Sequence, residues 1–162
     1  MAKATERPAI FDSPRMAPLL RAITRAHVAV YRATDGRVGG RYRLGSAFRK
    51  SVPTCLLTTM GRSSGRLRTV PLVYLPDGDR VIVAASYAGT PVHTQWYRNL
   101  VAEPRVLVRT GPWLRAMRAR TADKAEREEL WPRLVEMYAE YAEYQSWTER
   151  EIPVVVCEPS LT

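Results

Sequence analysis

Residues 56–99 decide the fold of this 162-residue chain. They read LLTTMGRSSGRLRTVPLVYL over 56–75, PDGD over 76–79 and RVIVAAS over 80–86, and they end in a segment that carries Trp96 and Asn99. Three apolar runs separated by a basic loop and a Pro-Asp-Gly-Asp turn predict three strands. We expect a ligand site where the basic loop lies near the end of the third strand.

The flanking sequence extends this pattern into a small, mostly antiparallel β-barrel of the α+β class with about six strands. The predicted strands cover 54–59, 69–75, 80–86, Arg105–Thr110, Trp113–Thr121 and 152–157. A helix is predicted to begin at Pro91 behind an N-cap at Thr90 and to end near Ala102. A further helical region is predicted from Asp123 to about Trp147, with a break or kink at Pro132.

Charge divides the chain into a basic N-terminal arm (1–40) and a barrel domain (41–162). Residues 1–50 hold 11 Lys and Arg against 3 Asp and Glu, so they carry most of the net charge of +9. Apolar residues recur at helical spacing over 14–33 with arginines beside them. This helix would pack on its own barrel, contact an anionic membrane surface, or bind nucleic acid. The near-neutral remainder argues against nucleic acid.

The two cysteines, Cys55 and Cys157, lie in apolar runs and are expected as buried thiols of a cytoplasmic protein or, alternatively, as one disulfide. Two cysteines and two histidines without close spacing argue against a zinc site, and we predict no metal. No apolar run is long enough to span a bilayer, and no secretory signal is visible.

The loop 61–68 has the composition of an anion-binding loop. It packs three arginines, two serines and two glycines into eight residues. Glycines allow backbone N–H groups to converge, while hydroxyls and guanidinium groups bind phosphate oxygens. A solvated hairpin turn would have a similar composition, and the loop matches neither a Walker sequence nor Gly-x-Gly-x-x-Gly.

Polar side chains near the third strand and far downstream could complete the site. Ser86 follows five apolar residues at a strand end, and Trp96 and Asn99 share one helix face. Tyr138, Tyr141 and Tyr144 repeat every three residues and could form a wall that stacks on a planar substrate. These aromatic residues could equally be core. His93 could act as an acid or base, but no partner is visible in the sequence.

Together these residues resemble the deazaflavin-dependent nitroreductases and quinone reductases, which are split β-barrel enzymes that use the reduced deazaflavin coenzyme F-420. The resemblance spans about residues 30 to 159 and depends on order and spacing. It is carried by Leu-Thr-Thr-x-Gly-Arg-x-Ser-Gly-x-x-Arg at 57–68, Asp77-Gly78-Asp79, Ala85-Ser86, Trp96-Tyr97, Trp131-Pro132, the three tyrosines and Ile152-Pro153.

The resemblance implies a role for each matching position. The coenzyme is an 8-hydroxy-5-deazaflavin with a phosphate and a polyglutamate tail, and its anionic part would be held by Arg62, Ser63, Ser64 and Arg68. Its ring system would lie along Val70 and Pro71 and would contact Ala84, Ala85 and Ser86. Tyr87 is a further cofactor-binding position, on the side of the tail. Gln95, Trp96 and Asn99 would close the cofactor groove. The substrate pocket and the catalytic roles would fall to Ser86, Tyr138, Tyr141 and Tyr144, with Tyr141 also touching the cofactor.

The sequence departs from the family pattern in two places. Tyr87 and Ala88 stand where a lysine and the first of two glycines are often found, so one cation of the tail site is missing, and Gln95 stands where a proline often precedes the tryptophan. The resemblance implies hydride transfer from reduced F-420 to a quinone, a nitroaromatic or another conjugated molecule. The basic amphipathic pattern of residues 14–33 adds, from the residues themselves, peripheral contact with the inner face of the membrane as one alternative for a cytoplasmic protein. The alternatives are an FMN-dependent split-barrel reductase and a non-catalytic deazaflavin carrier.

Overall fold

A computed structural model of the chain describes residues 7, 13–14, 16–43, 45–48 and 50–160. Within these residues, eight antiparallel strands form one curved sheet in the order β1-β2-β6-β7-β8-β5-β4, and β3 pairs with β2 outside this path. The strands are β1 (Arg41–Tyr42), β2 (Val52–Met60), β3 (Leu67–Val73), β4 (Leu75–Asp77), β5 (Arg80–Ala84), β6 (Arg105–Thr110), β7 (Trp113–Thr121) and β8 (Val154–Pro159).

All six predicted strands are present, and two short ones add to them. The predicted run 69–75 divides at Tyr74 into β3 and β4, and the two-residue β1 pairs with the start of β2. The basic loop closes the hairpin between β2 and β3, in which Met60 pairs with Leu67. This hairpin therefore fixes where the loop lies relative to the rest of the sheet.

Four helices flank the sheet in the described part of the chain. They are α1 (Met16–Ala33), α2 (Gln95–Ala102), α3 (Lys124–Met137) and α4 (Glu140–Ser146), and two 3-10 turns cover Gly45–Phe48 and Tyr87–Gly89. The Asp123 side chain caps α3 by accepting a hydrogen bond from the Glu126 N–H at 2.9 Å, as expected for a capping aspartate.

Two predicted helix boundaries are wrong. The N-cap of α2 is Thr94, whose side chain accepts from the Tyr97 N–H, whereas the Thr90 hydroxyl donates to the Val92 carbonyl and takes no part in a cap. Pro132 lies inside α3 without ending it. The division from α4 falls at Tyr138, whose extended backbone (φ −143°, ψ 96°) ends α3 while its ring is buried.

Alternation along β5 places side chains in two cores. Val81 and Val83 pack in a cluster with Trp96 and Leu100 of α2, while Ile82 and Ala84 pack in a second cluster with residues of α3 and α4. Since successive side chains of a strand point to opposite faces, β5 separates the two clusters. One cluster thus packs against α2 and the other against α3 and α4.

Helix α1 is anchored at its C-terminal end. Val28 and Tyr31 are buried, and the Tyr31 hydroxyl donates to the Thr54 carbonyl (2.9 Å) and accepts from the Gly111 N–H (2.8 Å). The exposed apolar side chains of the helix are Leu19, Leu20, Ile23 and Val30. The expected packing of this helix on its own barrel is therefore confirmed for its C-terminal end. Its apolar face lies open to solvent, although no described helix is long and apolar enough to cross a bilayer.

Candidate active site

The basic loop is a tight turn stabilised by its own backbone. The Gly61 N–H donates to the Arg66 carbonyl at 2.8 Å, and the Gly65 N–H donates to the Gly61 carbonyl at 2.7 Å. Gly65 has φ +63°, a conformation that favours glycine. The side chains of Arg62, Ser63, Ser64 and Arg68 are exposed around this turn, as an anion-binding loop requires.

Asn99 of α2 joins the loop to the body of the protein. Its Oδ1 accepts from the Arg62 N–H at 3.2 Å and from the Arg62 guanidinium at 3.1 Å, and its Nδ2 donates to the Thr59 hydroxyl at 3.2 Å. Gln95 Oε1 accepts a further bond from Arg62 at 2.9 Å. Both acceptors of the guanidinium are neutral amides. The side chain is therefore oriented while its charge stays available to an anion.

A cavity of about 390 Å³ opens beside this loop, and we call it the anion cavity. It is lined by Gly61, Arg62, Ser63, Ser64, Arg68, Val70, Gln95, Trp96 and Asn99. All of these except Gly61 are predicted cofactor-binding positions. The structure thus brings together the residues that were expected to bind the anionic part of a coenzyme.

A second cavity of about 230 Å³ adjoins the first, and we call it the tyrosine cavity. It is lined by Tyr42, Pro71, Leu72, Val73, Ala84, Ser86, Tyr87, Thr94, Trp96, Tyr138, Tyr141 and Tyr144. Trp96 belongs to both cavities and is 8% exposed. A ligand with an anionic arm and a flat ring could therefore occupy both cavities on either side of this indole.

The three predicted tyrosines form one cluster even though they do not share one helix. Tyr138 precedes α4, and Tyr141 and Tyr144 lie within it. The Tyr138 and Tyr144 hydroxyls are 3.3 Å apart, and the Tyr138 and Tyr141 rings pack edge to face with centroids 5.1 Å apart. The extended backbone at Tyr138 keeps its ring beside the other two.

Burial raises the pKa of all three tyrosines. For Tyr138 the desolvation is reinforced by hydrogen bonding with Tyr144 and Tyr42, and for Tyr141 by the proximity of Tyr144. Desolvation is also the main cause at Tyr144. Phenols in this state remain protonated at neutral pH, so they can donate hydrogen bonds to a ligand oxygen.

Ser86 lies two residues beyond the end of β5 and lines the tyrosine cavity, whereas Ala85 does not line either cavity. Ala85 is fully buried in the core, its N–H donates to the Pro153 carbonyl, and its carbonyl accepts from Arg150. Its side chain and backbone are thus occupied within the protein. Tyr87 is 57% exposed and lines the tyrosine cavity rather than the anion cavity.

His93 lies outside both cavities. Its ring packs on Tyr97 with centroids 4.9 Å apart, and its Nδ1 lies 3.4 Å from an Arg150 nitrogen. Partial desolvation and the charges of Arg150 and Arg98 lower its pKa. Nothing in this geometry assigns it an acid or base role.

Several residues that line or support the two cavities were not predicted from the sequence. Tyr42 lines the tyrosine cavity, and its ring meets that of Tyr138 edge to face at 5.7 Å. Thr59 orients Asn99, and Thr94 lines the cavity while it caps α2. The sequence held one signal for these residues, the Thr58-Thr59 pair in an apolar strand, because a buried hydroxyl needs a hydrogen-bond partner.

Comparison with known proteins identifies the family. A profile of the F-420H(2)-dependent quinone reductases matches residues 23–159. This chain belongs to that family. The resemblance stated from the sequence is therefore confirmed, and with it the class of oxidoreductase and reduced coenzyme F-420 as the cofactor.

Individual members of this quinone reductase family agree with the assignment. Rv3178 of Mycobacterium tuberculosis, which carries the same family description, is 47% identical over 117 residues that cover 72% of this chain and 98% of that protein. Rv1261c from the same species, also named as an F-420H(2)-dependent quinone reductase, is 38% identical over 137 residues that cover 83% and 88%.

Solved structures support the fold. The F-420-H2 dependent reductase FDR-A aligns with a TM-score of 0.62 and 41% identity over 65% of this chain and 94% of its own. The curved antiparallel sheet with flanking helices is thus an α+β split β-barrel, as predicted.

The residues present fit the deazaflavin coenzyme. The anion cavity offers a guanidinium held by neutral amides together with two exposed serines, which suits a phosphate and an acidic tail. The adjoining tyrosine cavity offers flat apolar walls, which suit a ring system. In the described part of the chain, no carboxylate pairs with Arg62 or Arg68.

Proposed function

We propose that this protein transfers a hydride from reduced coenzyme F-420 to a quinone that binds in the tyrosine cavity. The observation that carries the proposal is the pair of adjoining cavities that share Trp96. One of them has the chemistry of an anion site and the other that of an aromatic site. The bound coenzyme supplies the hydride, and the protein supplies orientation and hydrogen-bond donors.

The anion cavity would hold the phosphate and tail. Arg62, Ser63, Ser64 and Arg68 would contact the anionic groups, because guanidinium and hydroxyl donors bind phosphate oxygens. Asn99 and Gln95 act through Arg62, whose guanidinium they orient. Val70 and Pro71 of β3 lead from the anion cavity to the tyrosine cavity and would lie along the ring.

The tyrosine cavity would hold the acceptor. Ser86, two residues beyond β5, and the tyrosines Tyr138, Tyr141 and Tyr144 line this same cavity and would surround the acceptor. When a quinone is reduced, negative charge grows on its oxygens. A serine or protonated tyrosine hydroxyl can stabilise that charge or pass a proton to it, a contribution of roughly 10²–10³ in rate per donor.

A binding experiment tests the cofactor assignment. The purified protein is titrated with F-420, FMN and NADPH, and binding is followed by fluorescence. We expect saturable binding of F-420 and colourless protein on purification. Tight binding of FMN without F-420 binding would contradict the proposal and favour the FMN-dependent alternative.

We propose further that the protein works in the cytoplasm and contacts the inner face of the membrane through α1. The support is the exposed apolar face of the helix beside Arg21, Arg25 and Arg32. Apolar residues flanked by arginines suit an anionic lipid surface, and a quinone dissolved in the bilayer would be near at hand.

Co-sedimentation with vesicles of anionic and of neutral lipid tests the membrane contact. We expect binding to anionic vesicles that falls with salt, and loss of binding in Leu19→Ser/Ile23→Ser. Equal partitioning of the variant and the parent protein would contradict membrane contact through α1. The variant leaves the cavities intact, so its turnover of a water-soluble quinone should be unchanged. A nitroaromatic in the same assay tests the wider acceptor range.

A further inference from the structure

The backbone that follows β5 has an unfavourable conformation beside the tyrosine cavity. Tyr87, Ala88 and Gly89 have consecutive φ values of 41°, 48° and 66°. A positive φ is sterically unfavourable for a residue with a Cβ atom, and two of these three residues have one. A turn of this kind persists only where surrounding contacts hold it.

Arg150 donates hydrogen bonds to carbonyl groups on both sides of this turn. Its Nε lies 2.7 Å from the Thr90 oxygen, and its Nη2 lies 2.9 Å from the Ser86 oxygen and 3.3 Å from the Ala85 oxygen. A planar guanidinium has donors fixed in a fork, so one side chain can hold several carbonyls at once. The two ends of the turn are thereby bound to a single group.

Arg150 is itself attached to helix α4. The Gln145 side-chain amide donates to the Arg150 carbonyl at 2.8 Å and accepts from the Ile152 N–H at 2.8 Å. Gln145 follows Tyr144 directly in α4. The same segment therefore connects the turn that begins at Ser86 with the helix that carries two of the cavity tyrosines.

The turn also packs closely on α4. Gly89 is buried, and a Cβ added there would lie 2.4 Å from the Tyr144 carbonyl oxygen. The Gly89 backbone thus lies close enough to α4 that even one added carbon would not fit between them, so the turn has little room to move toward the helix. Relaxation of the two strained residues would carry the turn, and Ser86 with it, away from the tyrosines.

We propose that Arg150 is a positioning residue that holds the strained turn at 86–90 and so keeps Ser86 facing the tyrosine cavity. Arg150 lines neither cavity, so it acts through the backbone rather than on a ligand. The inference rests on the proposed function, because it concerns the placement of a donor for the acceptor. It adds a residue that no sequence motif of the site contains.

The test compares Arg150→Met with Arg150→Lys and with Arg150→Met/Ala88→Gly in the full chain. The first readout is hydrogen exchange of the Gly89 and Thr90 amides, which bond to the Ser86 and Tyr87 carbonyls. Arg150→Met should speed this exchange by about tenfold while core amides of β8 keep their protection. Arg150→Lys should have an intermediate effect, because an ammonium group cannot reproduce the fork.

The second readout separates turnover from coenzyme binding. Arg150→Met should lower kcat with a water-soluble quinone by about tenfold and change the F-420 dissociation constant by less than about threefold. Adding Ala88→Gly should recover most of the lost kcat and amide protection, because glycine tolerates the left-handed conformation. Arg105→Met, which removes an arginine exposed on β6 and paired with Glu103, is the matched control and should change nothing.

Unchanged exchange and kcat in Arg150→Met would overturn the inference. The inference would also be overturned if Ala88→Gly restored neither amide protection nor kcat in the Arg150→Met background. The loss of the Arg150 hydrogen bonds would then not act through the strained turn. If the parent protein does not oxidise reduced F-420 with any quinone, the proposed function fails. The exchange comparison would still decide whether Arg150 holds the turn.

Discussion

Arg62 and Asn99 form a double contact in which one amide oxygen of Asn99 accepts both the backbone N–H and the guanidinium of Arg62, at 3.2 Å and 3.1 Å. Asn99 is 5% exposed, so the contact fixes an exposed cation by means of a buried neutral group. The loop therefore presents its charge in one orientation before any ligand arrives, and less conformational freedom is lost on binding.

This contact predicts different salt behaviour for two variants. Asn99→Ala should weaken F-420 binding by about tenfold, because the Arg62 N–H loses its acceptor and the guanidinium keeps only Gln95. The salt dependence should persist since the charge remains. Arg62→Ala should weaken binding and also flatten the salt dependence. Fluorescence titrations at several ionic strengths measure both. Arg66→Ala, in the same loop but outside the cavity lining, is the control, and an equal loss there would contradict a specific role for Arg62.

Removal of a donor from the tyrosine cavity should reduce turnover. Ser86→Ala and Tyr138→Phe are each expected to lower kcat by roughly 10²–10³ while F-420 binding is retained. Tyr97→Phe is the matched control, because the Tyr97 hydroxyl pairs with Thr121 at 2.9 Å outside the cavity. Full turnover in both Ser86→Ala and Tyr138→Phe would remove the proposed stabilisation or proton transfer.

The raised tyrosine pKa values predict a flat pH profile on the alkaline side. Because burial keeps the phenols of Tyr138, Tyr141 and Tyr144 protonated, kcat should show no tyrosine ionisation up to pH of about 10. Steady-state kinetics across this range measure it. A loss of kcat with an apparent pKa well below 10, absent in Tyr138→Phe, would show that the phenol ionises more readily than its burial implies.

The buried thiols predict slow labelling and an alkaline loss of stability. Burial raises the pKa of Cys55 far above 9.0 and that of Cys157 to about 12, so both stay protonated in the folded chain. The unfolded chain ionises near pH 9.0, so this stabilisation is complete below that pH and declines as the pH rises above it. Urea unfolding from neutral pH upward measures the decline, which should be shallower in Cys55→Ala. Rapid labelling of native protein by a thiol reagent would contradict the burial.

The ion pairs around Asp77 predict sensitivity to acid. Hydrogen bonds from Arg80 and then Arg133 lower the pKa of Asp77, so the stabilisation is present above its ordinary value of 3.8 and is lost as the pH falls through the lowered value. Asp77→Asn should cost about 1 kcal/mol at neutral pH, a modest value because the arginines are partly exposed. It should also flatten the acid branch of the stability curve. Asp79→Asn, at an exposed neighbouring carboxylate, should do neither.

Features set by local sequence were predictable. The loop at 61–68, the Asp123 cap and the apolar runs of six strands depend on neighbours in the chain, and the structure has all of them. The predicted start of α2 was wrong because two nearby threonines, Thr90 and Thr94, could each have capped the helix, and their sequence alone does not decide between them. The Thr90 hydroxyl is used by the Val92 carbonyl and the Thr90 carbonyl by Arg150, 60 residues away, while Thr94 caps the helix.

Residues that join the site through distant contacts could not be predicted. Tyr42 belongs to a two-residue strand whose pairing with Pro53 and Val52 leaves no periodic pattern, yet it meets Tyr138 in the cavity. Arg150 acts on carbonyl groups 64 and 65 positions earlier, and carbonyl groups carry no residue-type signal. The tyrosines were found by their spacing, although the helix break at Tyr138 was not expected.

The most direct test of the account is a single turnover without oxygen, in which protein saturated with reduced F-420 is mixed with a water-soluble naphthoquinone. We expect the absorbance of oxidised F-420 to appear in one phase that is slowed by roughly 10²–10³ in Ser86→Ala. Protein that binds reduced F-420 but does not speed its oxidation by the quinone above the protein-free rate would contradict the account and identify a deazaflavin carrier instead.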